Sequence, residues 1–209
     1  MEPRLREAAR RAIGFMPDED GMALYQAAVE AAATGPLLEI GSYCGKSAIY
    51  LGAAAQKAGT VLFTIDHHRG SEEQQPGWEY HDARLVDPKT GLMDTLPWLR
   101  RAIASAGLED VVIAIVGRSE AIAGLWGTPL GLLFLDGSHA EESAQADYAG
   151  WAPHVATEGL LLIHDVFPDP KDGGQAPYHV YQRALRSGAF TEIRAVSSLR
   201  VLRRTGPGL

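Results

Sequence analysis

The chain has 209 residues, 46% of them hydrophobic and 22% charged, an ordinary globular composition with enough length for one sizeable core. Its formal charge of −7 argues against phosphate-backbone binding of the nucleic-acid kind, and basic residues gather only at the ends, in Arg4 to Arg11 and Arg194 to Arg204. Cys44 is the sole cysteine, no leader-like apolar stretch follows Met1-Glu2-Pro3-Arg4, and no run approaches the ~18 apolar residues of a membrane span, so the expectation is a soluble, cytoplasmic single domain over 1–209.

Residues 1–33 read as mostly helical with a break around Pro17-Asp18-Glu19-Asp20-Gly21, and Thr34-Gly35-Pro36 stops the second helix. They form an N-terminal helical cap over 1–36. Apolar runs follow at Leu37 to Ile40, Val61 to Asp66, Val111 to Val116, Leu132 to Asp136 and Leu160 to Asp165. Helical stretches at Ser47 to Ala58, Leu96 to Ala106 and Glu141 to Val155 alternate with them, and Ile193 to Leu202 can supply closing strands. This rhythm predicts an α/β fold with a mostly parallel sheet and helices on both faces. Two long loops interrupt it, His67 to Gly91 and Phe167 to Pro177, and long loops in a compact domain are commonly lids or binding loops.

After the first strand, Glu39-x-Gly41-x-x-x-Gly45 places glycines where the backbone must turn sharply, and Ser47 can open the next helix. The spacing is not Gly-x-Gly-x-x-Gly. Nor is Gly45-Lys46-Ser47 a phosphate-binding P-loop, because the first glycine of that motif would fall at Ile40. The second strand ends in Asp66, a carboxylate able to accept hydrogen bonds from two ribose hydroxyls.

Glu39 to Ser47, Ile65-Asp66 and Leu135-Asp136-Gly137-Ser138-His139 together resemble the class I S-adenosylmethionine (SAM)-dependent methyltransferases, over most of Leu37 to Phe167. The resemblance implies a Rossmann-like fold and SAM as cofactor. It places Glu39, Gly41, Ser42, Gly45 and Ser47 at the methionine and ribose end, Asp66 on the ribose, Gly117 and Ser119 beside adenine, and Asp136 on the same wall.

Asp136 and His139 stand three residues apart at a strand end, and His164-Asp165 closes the next strand in the same manner. Asp136 and Asp165 on neighbouring strand ends can share a divalent cation, Mg²⁺ or Mn²⁺. The pattern is similar to the metal-dependent sugar O-methyltransferases of macrolide tailoring, whose Asp-x-x-His segment supplies a metal ligand and the catalytic base. That maps onto Asp136 and His139. Those enzymes carry two adjacent carboxylates at the later strand end where this chain has His164 before Asp165, which leaves His164 open as a ligand or as a partner orienting Asp165.

The run Ile65-Asp66-His67-His68-Arg69-Gly70-Ser71 resembles the mannoside 1-O-methyltransferases of methylmannose polysaccharide synthesis. This implies methylation of the 1-hydroxyl of a 3-O-methylated mannoside by a Mg²⁺-dependent homodimer. His67, His68 and His81 are then substrate contacts or solvated residues, and Trp78 and Tyr80 either stack on a sugar or anchor the loop to the core. Two alternatives stay open: a catechol-type small-molecule O-methyltransferase, and a noncatalytic SAM-binding regulator.

Overall fold

The computed structural model describes residues 1–207. Its seven strands are β1 (Leu37–Ile40), β2 (Leu62–Asp66), β3 (Val112–Val116), β4 (Leu130–Leu135), β5 (Val155–Ile163), β6 (Phe190–Val196) and β7 (Leu199–Arg204). They form one sheet in the order β3-β2-β1-β4-β5-β7-β6, parallel except where β7 runs antiparallel to both β5 and β6. The helices are α1 (Pro3–Arg11), α2 (Asp18–Ala31), α3 (Lys46–Ala58), α4 (Leu96–Ala106), α5 (Ser119–Ala123), α6 (Glu141–Trp151) and α7 (Ala176–Arg186). The sequence expectation of a mostly parallel sheet covered on both faces is met.

The central strands are mostly apolar because both faces are covered, with Glu39 and Thr64 as a buried polar pair. Leu37, Leu132, Phe134, Leu160 and Leu162 point into one core with α1 to α4, while Leu38, Leu133, Leu135, Leu161 and Ile163 point into the other with α6 and α7. The alternation is the two-residue period of a strand, and each fully buried leucine contributes roughly 2 kcal/mol of apolar burial. Among the described residues no helix is long and apolar enough to cross a membrane.

Several boundaries differ from the expected ones. α6 stops at Trp151 rather than running to Val155, because Pro153 allows only a short 3-10 turn over Ala152–His154. β5 therefore begins at Val155, and its register against β4 shifts between Leu130 and Leu132. The closing segment is two strands, turned at Ser197 in the left-handed region with φ 47°. α5 and α7 arise where no helix is expected; α7 buries Val180 and Ala184 with Pro177 in its first turn. The basic ends are consumed internally: Arg6 and Arg10 bind Asp18, and Arg194 and Arg203 bind Glu30.

The chain leaves β1 on one side towards β2 and β3, then crosses back to β4 on the other. In open α/β sheets a crevice opens at such a reversal, beyond the carboxyl ends of the strands. Gly41 shows how tightly the two sides meet there. Its φ is 93°, and a Cβ at this position would lie 2.2 Å from the carbonyl oxygen of Asp136, so only glycine fits.

Candidate active site

At the carboxyl edge of β1, β2 and β4 lies a cavity of about 320 Å³, lined among others by Gly41, Tyr43, Asp66, Gly117, Ser119 and Asp136. Asp66 is fixed by backbone: one carboxylate oxygen accepts the Tyr43 N–H at 2.9 Å, the other the His68 N–H at 2.7 Å. Each oxygen keeps a lone pair for a ligand hydroxyl. Tyr43 and His68 make these bonds with φ of 45° and 60°, a left-handed conformation rare for residues with a Cβ.

Beside the cavity, the ends of β4 and β5 bring four ionisable groups together. His139 sets Nε2 3.2 Å from Asp165 Oδ2 and Nδ1 3.1 Å from Glu73 Oε2. His164 sets Nδ1 3.2 Å from Asp136 Oδ1 and 3.3 Å from Asp165 Oδ1. Asp165 reaches both rings from a left-handed backbone, φ 54°, so the turn after β5 is bent to aim this carboxylate.

The charges are strongly coupled. The hydrogen bond that His139 donates to Asp165 raises His139 to about 9 against the pull of burial, with the Asp165 and Glu73 charges adding to the effect. Burial lowers His164, but the carboxylates of Asp136, Asp165 and Asp20 outweigh it and lift the ring to about 12. Burial likewise opposes ionisation of Asp165, yet His139 and His164 hold it well below the usual carboxylate range. Without a cation the two protonated imidazoles neutralise the carboxylates; a divalent ion here would take the place of the His164 Nδ1 proton and supply that positive charge itself.

Asp136, His164 and Asp165 fit such an ion on their donor chemistry. Each offers one ligand atom, and these atoms lie within 4.8 Å of one another. Two carboxylates with one imidazole suit Mn²⁺ or another first-row metal better than an all-oxygen set would, and Mg²⁺ less well.

Residues 38–166 match the family model described as a methyltransferase domain. The chain belongs to this methyltransferase family. Solved structures with the same fold include the O-methyltransferase TomG from Streptomyces achromogenes in complex with SAM, at 19% identity and TM-score 0.65, covering 99% of this chain and 91% of that one. The O-methyltransferase from Bacillus cereus in complex with SAH is 16% identical, with TM-score 0.65 and 98% and 92% of the two chains covered. The O-methyltransferase NovP is 18% identical, with TM-score 0.71 and coverage of 97% and 88%.

Within this methyltransferase the residues expected on the cofactor wall divide into two groups. Gly41, Asp66, Gly117, Ser119 and Asp136 line the cavity. Glu39, Ser42, Gly45 and Ser47 do not; Glu39, Ser42 and Ser47 are buried behind the turn and shape it. Glu39 accepts the Thr64 hydroxyl at 2.5 Å, and burial pushes its carboxyl up to about 8. Gly45 lies against α4, where a Cβ would meet Leu99 Cδ1 at 2.8 Å. Ser119 donates its hydroxyl to the buried Asp147, a cavity-lining residue that the sequence does not single out.

The loop histidines separate as well. His68 is not a solvated residue: it is buried, with Nδ1 2.7 Å from Thr95 Oγ1. His67 lines the cavity, and His81 holds the loop together through the Gln74 carbonyl. Leu85 and Met93, rather than Trp78 or Tyr80, anchor the long loop by burial against Cys44. Trp78 stays exposed, and Tyr80 meets Phe15 edge-on at 5.4 Å.

Proposed function

We propose that this methyltransferase is a metal-assisted, SAM-dependent O-methyltransferase whose acceptor is a sugar hydroxyl, with the 1-hydroxyl of a 3-O-methylated mannoside as its leading candidate. The observation that carries the reading is the placement of His139 against Asp165, itself within a two-carboxylate, one-imidazole cluster beside the cavity. SAM and SAH in the TomG and Bacillus cereus structures support the cofactor. A sugar is supported by the polar groups of His67, Ser71 and Gln74 that line the cavity. With this reading go a cytoplasmic location, supported by the lone buried thiol Cys44, and a homodimer, supported by resemblance alone.

In the reaction an oxygen lone pair of the acceptor attacks the sulfonium methyl carbon, the carbon–sulfur bond breaks, and the hydroxyl proton passes to His139. Asp66 and the cavity wall hold the donor, and orientation of oxygen, carbon and sulfur in line supplies much of the rate. A divalent ion on Asp136, His164 and Asp165 would acidify the acceptor hydroxyl and offset the carboxylate charge that keeps His139 protonated.

Glu73 completes the base. By accepting the Nδ1–H of His139 it leaves Nε2, beside Asp165, as the nitrogen that takes the proton. Glu73→Ala removes the acceptor that fixes the Nδ1–H; kcat is expected to fall about 10-fold with SAH affinity unchanged, within the usual reach of acid–base support. Unaltered kcat would remove Glu73 from the base.

The acceptor is tested with methyl-labelled SAM against a 3-O-methylated mannoside, an unmethylated mannoside and a catechol. Label is expected on the first. Fast catechol methylation with a slow mannoside reaction would replace the sugar reading by a catechol-type one.

A further inference from the structure

The helical cap reaches into the centre of the site through one residue. Asp20, in the first turn of α2, is completely buried, and its Oδ2 lies 3.1 Å from His164 Nε2. Ser198, between β6 and β7, adds a hydrogen bond to the same oxygen at 3.3 Å. Asp20 Oδ1 has no hydrogen-bond partner among the described residues. A buried carboxylate with one oxygen left unpaired is costly, and burial alone gives no reason for it at this position.

The arrangement around His164 supplies the reason. Its two ring nitrogens face opposite ways: Nε2 towards Asp20 in the cap, Nδ1 towards Asp136 and Asp165 at the strand ends. An imidazole whose Nε2–H is held by a carboxylate gives up its other proton, at Nδ1, when a cation binds there, and the carboxylate fixes the plane of the ring and strengthens it as a ligand. Gly21 permits this depth of approach, since a Cβ there would sit 2.3 Å from the Tyr50 ring of α3.

We propose that Asp20 is a positioning residue that holds His164 as an Nδ1 ligand, so that the cap, 144 residues earlier in the chain, sets the affinity and the metal preference of the Asp136–His164–Asp165 site. The proposal rests on the metal-assisted reading given above. It assigns Asp20 no contact with substrate.

The test is cation binding to the full-length protein without substrate, by calorimetry with Mn²⁺ and by the visible spectrum of the Co²⁺-loaded form. The variants are Asp20→Asn, Asp20→Ser and His164→Gln. In Asp20→Asn the amide can turn its NH₂ to Nε2 and force the proton onto Nδ1; Asp20→Ser is smaller and leaves room for water should the amide strain the fold. Thermal melts establish that each variant is folded.

Both Asp20 variants are expected to bind Mn²⁺ about 10-fold more weakly or worse, the usual cost of losing the outer partner of a ligating histidine. Their Co²⁺ spectra are expected to move towards that of His164→Gln. Mn²⁺ affinity within twofold of the wild type with an unmoved Co²⁺ spectrum, in whichever Asp20 variant folds, would overturn the role of Asp20 and leave the metal site standing. A wild-type protein that binds neither ion would overturn both readings, and a His164→Gln variant with wild-type affinity would overturn His164 as a ligand and Asp20 with it.

Discussion

His139→Ala is expected to lower turnover about 100-fold or more while leaving cofactor binding intact, the span that general base catalysis usually covers. The two halves of this expectation come from where the ring sits. Its nitrogens face Asp165 and Glu73, next to the proposed cation, so its loss removes the group placed to take the acceptor proton. It is absent from the lining of the 320 Å³ cavity, so the donor keeps Asp66, Gly117 and Ser119. Steady-state kcat with labelled SAM and calorimetry with SAH read the two halves separately. Full turnover in the variant would reject His139 as the base, and lost SAH binding would show that the ring supports the cavity instead.

Much of the fold could be read from hydrophobic runs, for a physical reason. Strands buried on both faces are largely apolar, so Leu37 to Ile40, despite Glu39, and Leu132 to Leu135 announce themselves. The turn after β1 was equally legible, because Gly41 and Gly45 hold positive φ that few other residues accept. What such glycines cannot declare is which surface they approach. Gly41 stands against the Asp136 carbonyl and Gly45 against Leu99, so glycine spacing alone reads as ligand contact where part of it is protein packing.

The acid and imidazole groups at the ends of β4 and β5 were legible because strand order brings adjacent strand ends together. Their outer partners were not. Glu73 sits in a polar loop beside Glu72, and nothing local distinguishes one from the other. Asp20 follows Asp18 and Glu19 and looks like ordinary acidic dressing of a helix start. A signal did exist: Asp20 lies on the stripe of Leu24, Ala27, Ala28 and Ala31, all buried, and a carboxylate on the apolar face of a helix needs a partner. His68 misled in the opposite sense, since a histidine in a polar loop gives no sign that Thr95 and burial will claim it.

The second large effect follows from the charge balance at the strand ends. Asp136, Asp165 and Glu73 surround His139 with carboxylates, and that ring is held at about 9, too high for a ready base at neutral pH. Chelation therefore removes two contributions together, the acidification of the acceptor hydroxyl and the relief of His139, and a loss of about 100-fold or more is expected. The imidazole in the donor set makes Mn²⁺ the better ion to restore activity, with Mg²⁺ weaker at equal concentration.

The decisive measurement is methyl transfer from labelled SAM to an acceptor hydroxyl by the same enzyme preparation before EDTA, after EDTA, and after addition of Mn²⁺ or Mg²⁺ in excess of chelator. Metal-assisted transfer predicts loss and then recovery, with SAH binding retained throughout; turnover that persists through chelation would contradict it.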